Sequence, residues 1–299
     1  MPSYGRPLSF GANITPTSST FDRPVRLALL SETLGYELVT FRDQPYNPAL
    51  LDAWTLVAWV AARTERVHIA ANVLALPLRP PAILARAAIS LSLLSGGRFA
   101  LGLGAGGAWD GIESMGGRRL TPGEGVQALE EAVAIIRSVW DAGEPTLVNI
   151  TGDYYEISGA RRGPLPPHPI PIWIGAHKPK MLRLIGRHAD GWLPALSRAT
   201  PEELTAGNAL IDDTARAAGR EPRAIRRLLN IEGSFDPAAD APLTGTSAQW
   251  TRQLAALALG GGFDTFLLTT DDADTIRQFA EEVVPAVRAA VEPQTGEPT

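Results

Sequence analysis

A (β/α)8 barrel is the fold this sequence predicts, and three observations predict it. Eight short, dense apolar runs recur along the chain, segments of helical length and punctuation separate them, and the hydrophobicity inside runs such as Ile172-Trp173-Ile174 and Phe266-Leu267-Leu268 is continuous rather than alternating. Parallel strands covered on both faces read that way. Eight such units fill nearly all of the 299 residues, which favours closure over an open doubly wound sheet.

Taken in order, the strands are expected at Leu8 to Ile14, Leu38 to Arg42, Val67 to Leu74, Phe99 to Gly104, Pro171 to Ala176, Gly191 to Ala195, Ile225 to Ile231 and Asp264 to Thr269. Three of the intervening helices announce their starts with capping boxes: Thr121-Pro122-Gly123-Glu124, Thr200-Pro201-Glu202-Glu203 and Thr246-Ser247-Ala248-Gln249. After the first box, Val126, Leu129, Val133, Ile136 and Trp140 recur at helical spacing, so one face of that helix is buried. The stretch from Trp109 to Leu120 reads as irregular. Thr146 to Ile150, Gly152-Asp153 and Tyr154 to Ile157 read as a hairpin inserted before the fifth strand. Residues 1–291 are expected to form one domain, and 292–299, rich in Pro, Gly and Glu, a flexible tail.

The composition removes several function classes. Cysteine is absent, so disulfides, thiolate nucleophiles and Cys-ligated metals are excluded. A net charge of −5 without a basic tract argues against nucleic acid, and no apolar run is long enough to span a membrane. Met1 to Pro7 has no signal-peptide pattern, so a cytoplasmic location is expected. Of 27 basic residues only two are lysines, Lys178 and Lys180, and they flank Pro179.

In such a barrel the chemistry gathers beyond the carboxyl ends of the strands. Those positions hold Asn13, Asp43 and Gln44, Asn72, Gly104 to Gly107, Gly175 to Lys180, Glu232, and Thr269 to Asp272. The run Gly102-Leu103-Gly104-Ala105-Gly106-Gly107 fits a dinucleotide fingerprint, but it ends the fourth strand rather than the first and no acidic residue ends a strand about twenty positions on. Close backbone approach to a flat ligand explains it better. At Gly175-Ala176-His177-Lys178-Pro179-Lys180 a strand ends and a helix begins, so free amides, the helix dipole and both lysines favour a phosphate. No metal site is expected, because His68, His168, His177 and His188 are scattered. A serine hydrolase lacks its nucleophile elbow, and a glycosidase pair from Asp43, Glu232 or Asp110 is poorly supported.

These residues resemble the luciferase-like monooxygenase family, FMN-dependent monooxygenases together with reductases and dehydrogenases using the deazaflavin coenzyme F420. The resemblance runs from about Leu8 to Val287 and is carried by Leu94-Ser95-Gly96-Gly97-Arg98-Phe99 leading into Leu101-Gly102-Leu103-Gly104-Ala105-Gly106, by Ile172-Trp173-Ile174-Gly175-Ala176, and by Ala189-Asp190-Gly191-Trp192. It implies a flavin-type ring across the barrel mouth, with its phosphate near Gly104, Ala105, Gly106 and Gly175, Ala176, His177, Lys178, Lys180. Asn13, Asn72 and Val73 would lie by the ring, Asn72 giving an amide to a ring heteroatom and Asn72-Val73 being a non-proline cis peptide. Two positions depart from the family. Asp43-Gln44 stands where many relatives have Asp-His, and Gly107 where the deazaflavin sugar-phosphate dehydrogenases carry glutamate. Glutamine cannot shuttle a proton, so the sugar-phosphate reaction is not expected, and proton transfer would fall to Asp43 or His177.

The reading that follows is a two-component monooxygenase. Reduced FMN from a separate NAD(P)H:flavin reductase would react with O2, and one oxygen would pass to a small organic substrate facing Asp43 and Gln44, with Trp109 and Trp192 as apolar walls. A deazaflavin-dependent reductase or dehydrogenase is the alternative, and a non-catalytic barrel binding a phosphorylated metabolite the second. A homodimer is expected, and the loop from Asp236 to Thr246 would act as a lid or lie inert.

Overall fold

In the computed structural model, which describes residues 4–239 and 243–291, eight parallel strands close into a barrel. The elements run β1 (Ser9–Ile14), α1 (Arg23–Thr33), β2 (Leu38–Phe41), α2 (Ala53–Ala61), β3 (His68–Ala71), β4 (Leu74–Ala75), α3 (Pro81–Leu94), β5 (Phe99–Gly104), α4 (Trp109–Ser114) and α5 (Pro122–Trp140). They continue through β6 (Val148–Thr151), β7 (Glu156–Ala160), β8 (Ile172–Ile174), α6 (Pro179–His188), β9 (Gly191–Trp192), α7 (Pro201–Ala217), β10 (Arg226–Ile231), β11 (Gly233–Ser234), β12 (Leu243–Thr244), α8 (Ser247–Leu259), β13 (Thr265–Thr269), α9 (Ala273–Gln278) and α10 (Val284–Val291). Strand order is β3-β2-β1-β13-β10-β9-β8-β5, and a β3–β5 pairing closes the ring. All eight expected barrel strands are present. The third is split into β3 and β4, and between them the Asn72-Val73 peptide is cis.

The three capping boxes form as read, with Thr121, Thr200 and Thr246 each accepting the amide of the residue three positions on. Strands β6 and β7 pair antiparallel as the inserted hairpin. One stretch differs from expectation: Trp109 to Ser114 is a helix, α4, although its sequence lacks a capping side chain and an apolar period. Ile112 anchors it by burial, a tertiary contact that local pattern does not announce. The expected 292–299 tail lies outside the described residues, as do 240–242 of the expected lid; the rest of that loop includes β12, which pairs parallel with β11.

Burial divides into two layers. A large cluster fills the space between sheet and helices. A small one, Leu38, Ala70, Ala100, Trp173, Leu193, Leu228 and Leu267 with Val73 against it, packs the lumen. The barrel is therefore a filled core below its mouth, as side-chain layers require. Among the described residues, no helix is long and apolar enough to cross a membrane.

Candidate active site

Above the apolar lumen layer lies a polar one. Side chains two apart on a strand share a face, so Leu38, Ala70, Leu228 and Leu267 below are followed by Thr40, Asn72, Asn230 and Thr269 above. These residues are hydrogen-bonded in a row. Asn13 Nδ2 donates to Thr269 Oγ1 at 3.2 Å, Thr40 Oγ1 to Asn13 Oδ1 at 3.0 Å, and Asn72 Nδ2 to Thr40 Oγ1 at 3.2 Å. Asn72 Nδ2 also reaches across to Asn230 Oδ1 at 2.7 Å, and Asn230 Nδ2 returns to Asn72 Oδ1 at 3.2 Å. Both hydrogens of the Asn72 amide are thus engaged. The expected donation from Asn72 to a ring heteroatom is revised accordingly: Asn72 and Asn13 build a neutral floor beneath the mouth.

Asp43 also differs from its expected role. Its side chain is fully buried, and its carboxylate accepts Arg79 Nη1 at 2.6 Å, Arg79 Nη2 at 2.9 Å and the Ala75 amide at 2.9 Å. A carboxylate held in a guanidinium fork is a structural tie. It joins the end of β2 to the chain just past β4 and is not free to face a substrate or move a proton. Gln44 follows it, half-buried, its carbonyl accepting the Asn47 amide at 2.9 Å.

The glycine-rich segments need glycine chiefly for protein packing. A Cβ at Gly104 would lie 2.8 Å from a Val73 methyl, one at Gly175 3.2 Å from the same side chain, and one at Gly102 2.1 Å from the Ala71 carbonyl oxygen. Val73 thus wedges between the ends of β5 and β8. Gly106 has φ +98° and packs on Trp109, whereas Gly107 is exposed and has nothing within 4 Å of its Cβ position. Ala105 lies against Gly125 at the start of α5.

Beyond β8, α6 starts at Pro179 with no side chain capping it. His177 Nε2 accepts the Ala195 amide at 3.4 Å, which leaves the proton of the neutral ring on Nδ1, and that buried nitrogen has no partner among the described residues. Burial, then the nearby Arg198 and Lys178 cations, lower the His177 pKa against a smaller opposing pull from Glu203. Lys178 and His177 line a cavity of about 280 Å³ with Arg198 and Glu203 between α6 and α7. Lys180, two residues on and so rotated about 200° around the helix, opens instead onto the α5 side with Thr121 and Arg183. The two lysines, expected to act together, face different clefts.

A family model for luciferase-like monooxygenases matches residues 7–256. The chain belongs to that family. It is 32% identical over 260 residues to an F420-dependent glucose-6-phosphate dehydrogenase of Microbacterium testaceum, covering 85% of this chain and 74% of that one. A like-named protein of Amycolatopsis mediterranei is 31% identical over 218 residues, 71% of this chain and 65% of its own; there the chain spans just under two thirds of the relative. A phthiodiolone/phenolphthiodiolone dimycocerosates ketoreductase of a Mycobacterium species is 34% identical over 240 residues, 73% of this chain and 60% of that one. Among solved structures, an F420-dependent secondary alcohol dehydrogenase superposes with TM-score 0.83 at 20% identity (94% and 99% of the two chains), and a long-chain alkane monooxygenase with 0.82 at 14% (95% and 92%). These two share the fold. The expected oxidoreductase class agrees with the family.

Several groups of this luciferase-like chain that bear on the site escape local pattern. Asn230 and Thr40 complete the floor, Arg79 sequesters Asp43, and Arg198 faces the His177 cavity. A period-two reading of polar residues inside strands would have found the first two. Trp192, expected as a substrate wall, is a core residue: it is 1% exposed, donates Nε1 to the Ala176 carbonyl at 2.9 Å and fills the space beside Gly207. Trp109 stays half-buried near the mouth, against Gly106. The donor set after β8, an unpartnered histidine N–H, an uncapped helix start and two cations without a carboxylate partner within 4.0 Å among the described residues, fits an oxyanion such as a cofactor phosphate.

Proposed function

We propose that this protein is an F420-dependent oxidoreductase that transfers a hydride between the deazaflavin and a small organic substrate. The observation that carries this reading is the relatives at 31–34% identity, described as F420-dependent glucose-6-phosphate dehydrogenases and ketoreductases. It reverses the order reached from sequence, where oxygen insertion with reduced FMN came first. When bound, the deazaflavin supplies the carbon that takes or gives the hydride. The chain's part is to seat the ring on the neutral Asn13–Thr40–Asn72–Asn230 floor, to exclude water with Val73 and the glycine loops, and to hold the phosphate through His177, Lys178 and the backbone of Gly104 to Gly106 and Gly175 to Ala176. Gln44 orients a substrate oxygen by hydrogen bonds and takes no proton. Glucose 6-phosphate does not suit the site, because Gly107 leaves no carboxylate and Gln44 no imidazole where the sugar-phosphate dehydrogenases are expected to carry them.

We also infer a homodimer in the cytoplasm. An apolar cleft of about 1040 Å³ between α1 and α2 exposes Phe21 and Trp59, at 70% and 55%, beside Leu29 and Trp54, and this apolar face supports the dimer reading. The cofactor reading is tested by fluorescence titration of the purified protein with F420 and with FMN, together with oxygen uptake in the presence of reduced FMN. Micromolar or tighter F420 binding without oxygen uptake is expected. FMN-dependent oxygen consumption without F420 binding overturns the reading in favour of a monooxygenase fed by a separate reductase, and binding of a phosphorylated metabolite alone overturns it in favour of a non-catalytic barrel.

A further inference from the structure

Hydride transfer at a carbon that bears oxygen also moves one proton, and neither Asp43, held by Arg79, nor Gln44 can carry it. A carboxylate at the end of β10 is placed to do so. Strand β10 sends Leu228 and Asn230 into the barrel and Leu229 and Ile231 out against the helices. Glu232 alone separates β10 from β11, and a Cβ added at Gly233 would lie 2.4 Å from the Trp250 ring, so Gly233 faces out towards α8. Between two outward positions, Glu232 turns to the barrel side, one pleat, about 6–7 Å, above Asn230. The neighbouring chain agrees: Ala195 bridges Asn230 in parallel, which sets Ser197 level with Glu232, and Ser197 Oγ donates to Glu232 Oε1 at 3.2 Å. Glu232 is half-buried and pairs with no cation among the described residues. Arg198, next to Ser197, lines the His177 cavity, and Asp271 beyond β13 accepts the Thr15 amide at 2.8 Å. Below Glu232, Asn230 Nδ2 gives one hydrogen to Asn72 Oδ1 at 3.2 Å, and its second has no acceptor among the described residues.

We propose that Asn230 and Glu232 handle the oxygen of a neutral alcohol or ketone substrate, Asn230 donating its second amide hydrogen to that oxygen and Glu232 exchanging the proton. The inference rests on the hydride-transfer reading. In the oxidising direction the substrate's C–H bond breaks, and hydrogen and electron pair pass together to the deazaflavin. The O–H bond breaks with it, its electron pair closes the C=O bond and its proton goes to Glu232; the alcohol is oxidised and the deazaflavin reduced. In the reducing direction Glu232 returns the proton to the carbonyl oxygen. Ser197, exposed and bonded to the carboxylate, connects it to solvent water. The same carboxylate repels an anionic substrate, so a neutral one suits the pair.

The test uses the full-length protein loaded with F420. Reduction of the cofactor by propan-2-ol and by cyclohexanol is followed by absorbance, and isobutyrate, a carboxylate of similar size, is titrated onto the complex by fluorescence without turnover. Glu232→Gln is expected to lower kcat about 100-fold or more with KM within about threefold of the parent, and to bind isobutyrate roughly tenfold tighter because a like charge is gone. Its F420 affinity should stay within about twofold, and Glu232→Asp should recover part of kcat. Circular dichroism and thermal unfolding matching the parent show that both variants fold. Parent-like kcat in Glu232→Gln, or equal isobutyrate affinity in the two proteins, overturns the role of Glu232. F420 binding by the parent without turnover of either alcohol overturns the alcohol assignment and leaves the cofactor reading standing. Failure to bind F420 overturns the cofactor reading and this assignment with it.

Discussion

Replacing Arg79 by methionine tests whether Asp43 is a tie or a catalyst. Methionine keeps most of the apolar stem and removes the fork, so the cavity contribution is small and the effect is electrostatic. The Asp43 side chain is 0% exposed and would retain a single donor, the Ala75 amide at 2.9 Å, in place of three. Leaving a buried carboxylate without its cation costs about 3–5 kcal/mol. The second ion pair lost, Arg79 to Asp52 at 3.2 Å, involves a carboxylate 42% exposed and adds at most about 1 kcal/mol. Asp43→Asn alone should also destabilise, because an amide hydrogen then meets the guanidinium, and the double variant should recover part of the sum. Urea unfolding of the four proteins gives the coupling energy directly, with an expected magnitude of about 2 kcal/mol or more. A loss below about 1 kcal/mol for Arg79→Met would refute the buried-pair argument. Unchanged stability in Asp43→Asn would return Asp43 to the substrate side of the site.

Gly102→Ala places a Cβ 2.1 Å from the Ala71 carbonyl oxygen, a backbone-to-backbone clash across the β3–β5 closure; a drop of about 1–3 kcal/mol or more is expected by thermal unfolding, and an unchanged midpoint would show that the barrel is not closed there. His177 binds its proton less tightly folded than unfolded, so it contributes stability above its ordinary pKa of 6.5 that is lost as pH falls below that value through the folded one. His177→Gln should therefore lose less stability than the parent on acidification below pH 6.5, the remainder following His68, whose pKa burial and nearby arginines also lower, and, further into acid, carboxylates such as Glu32 and Asp272 whose pKa values are lowered in the fold. Parallel acid slopes in urea midpoints would contradict this.

The barrel was legible because its determinants are local. Continuous apolar runs, proline at helix starts and the Thr-x-x-Glu and Thr-x-x-Gln boxes each act within a few residues, and all eight strands and three caps appear where those patterns fall. The site was less legible because its determinants cross the chain. Asp43 meets an arginine 36 positions on, and Asn72 meets an asparagine 158 positions on; neither spacing has a periodic signature. The lysines show the converse. Two positions apart in sequence, Lys178 and Lys180 read as one anion site, but helical rotation sends them to opposite sides of α6. The glycines were located correctly and explained incompletely, since Val73 rather than an incoming ligand occupies the space at Gly104 and Gly175.

The electrostatics of the mouth follow from that arrangement. The floor consists of amides and hydroxyls that hydrogen-bond one another, and Asp43, the nearest carboxylate expected from sequence to face it, is cancelled by Arg79. Positive charge available to a bound molecule sits on the rim instead, at Lys178 and Arg198 on one side of α6 and at Lys180 and Arg183 on the other. A neutral pocket interior with a cationic rim suits a ligand whose reacting ring is uncharged and whose opposite end is anionic. It also separates what each part contributes. Hydrogen bonds to a neutral floor are insensitive to ionic strength, whereas attraction to exposed rim cations is weakened by salt. Gln44, half-buried, and Gly107, exposed with nothing within 4 Å of its Cβ position, take no part in the hydrogen-bonded floor, so both can change without disturbing the barrel or its neutral interior.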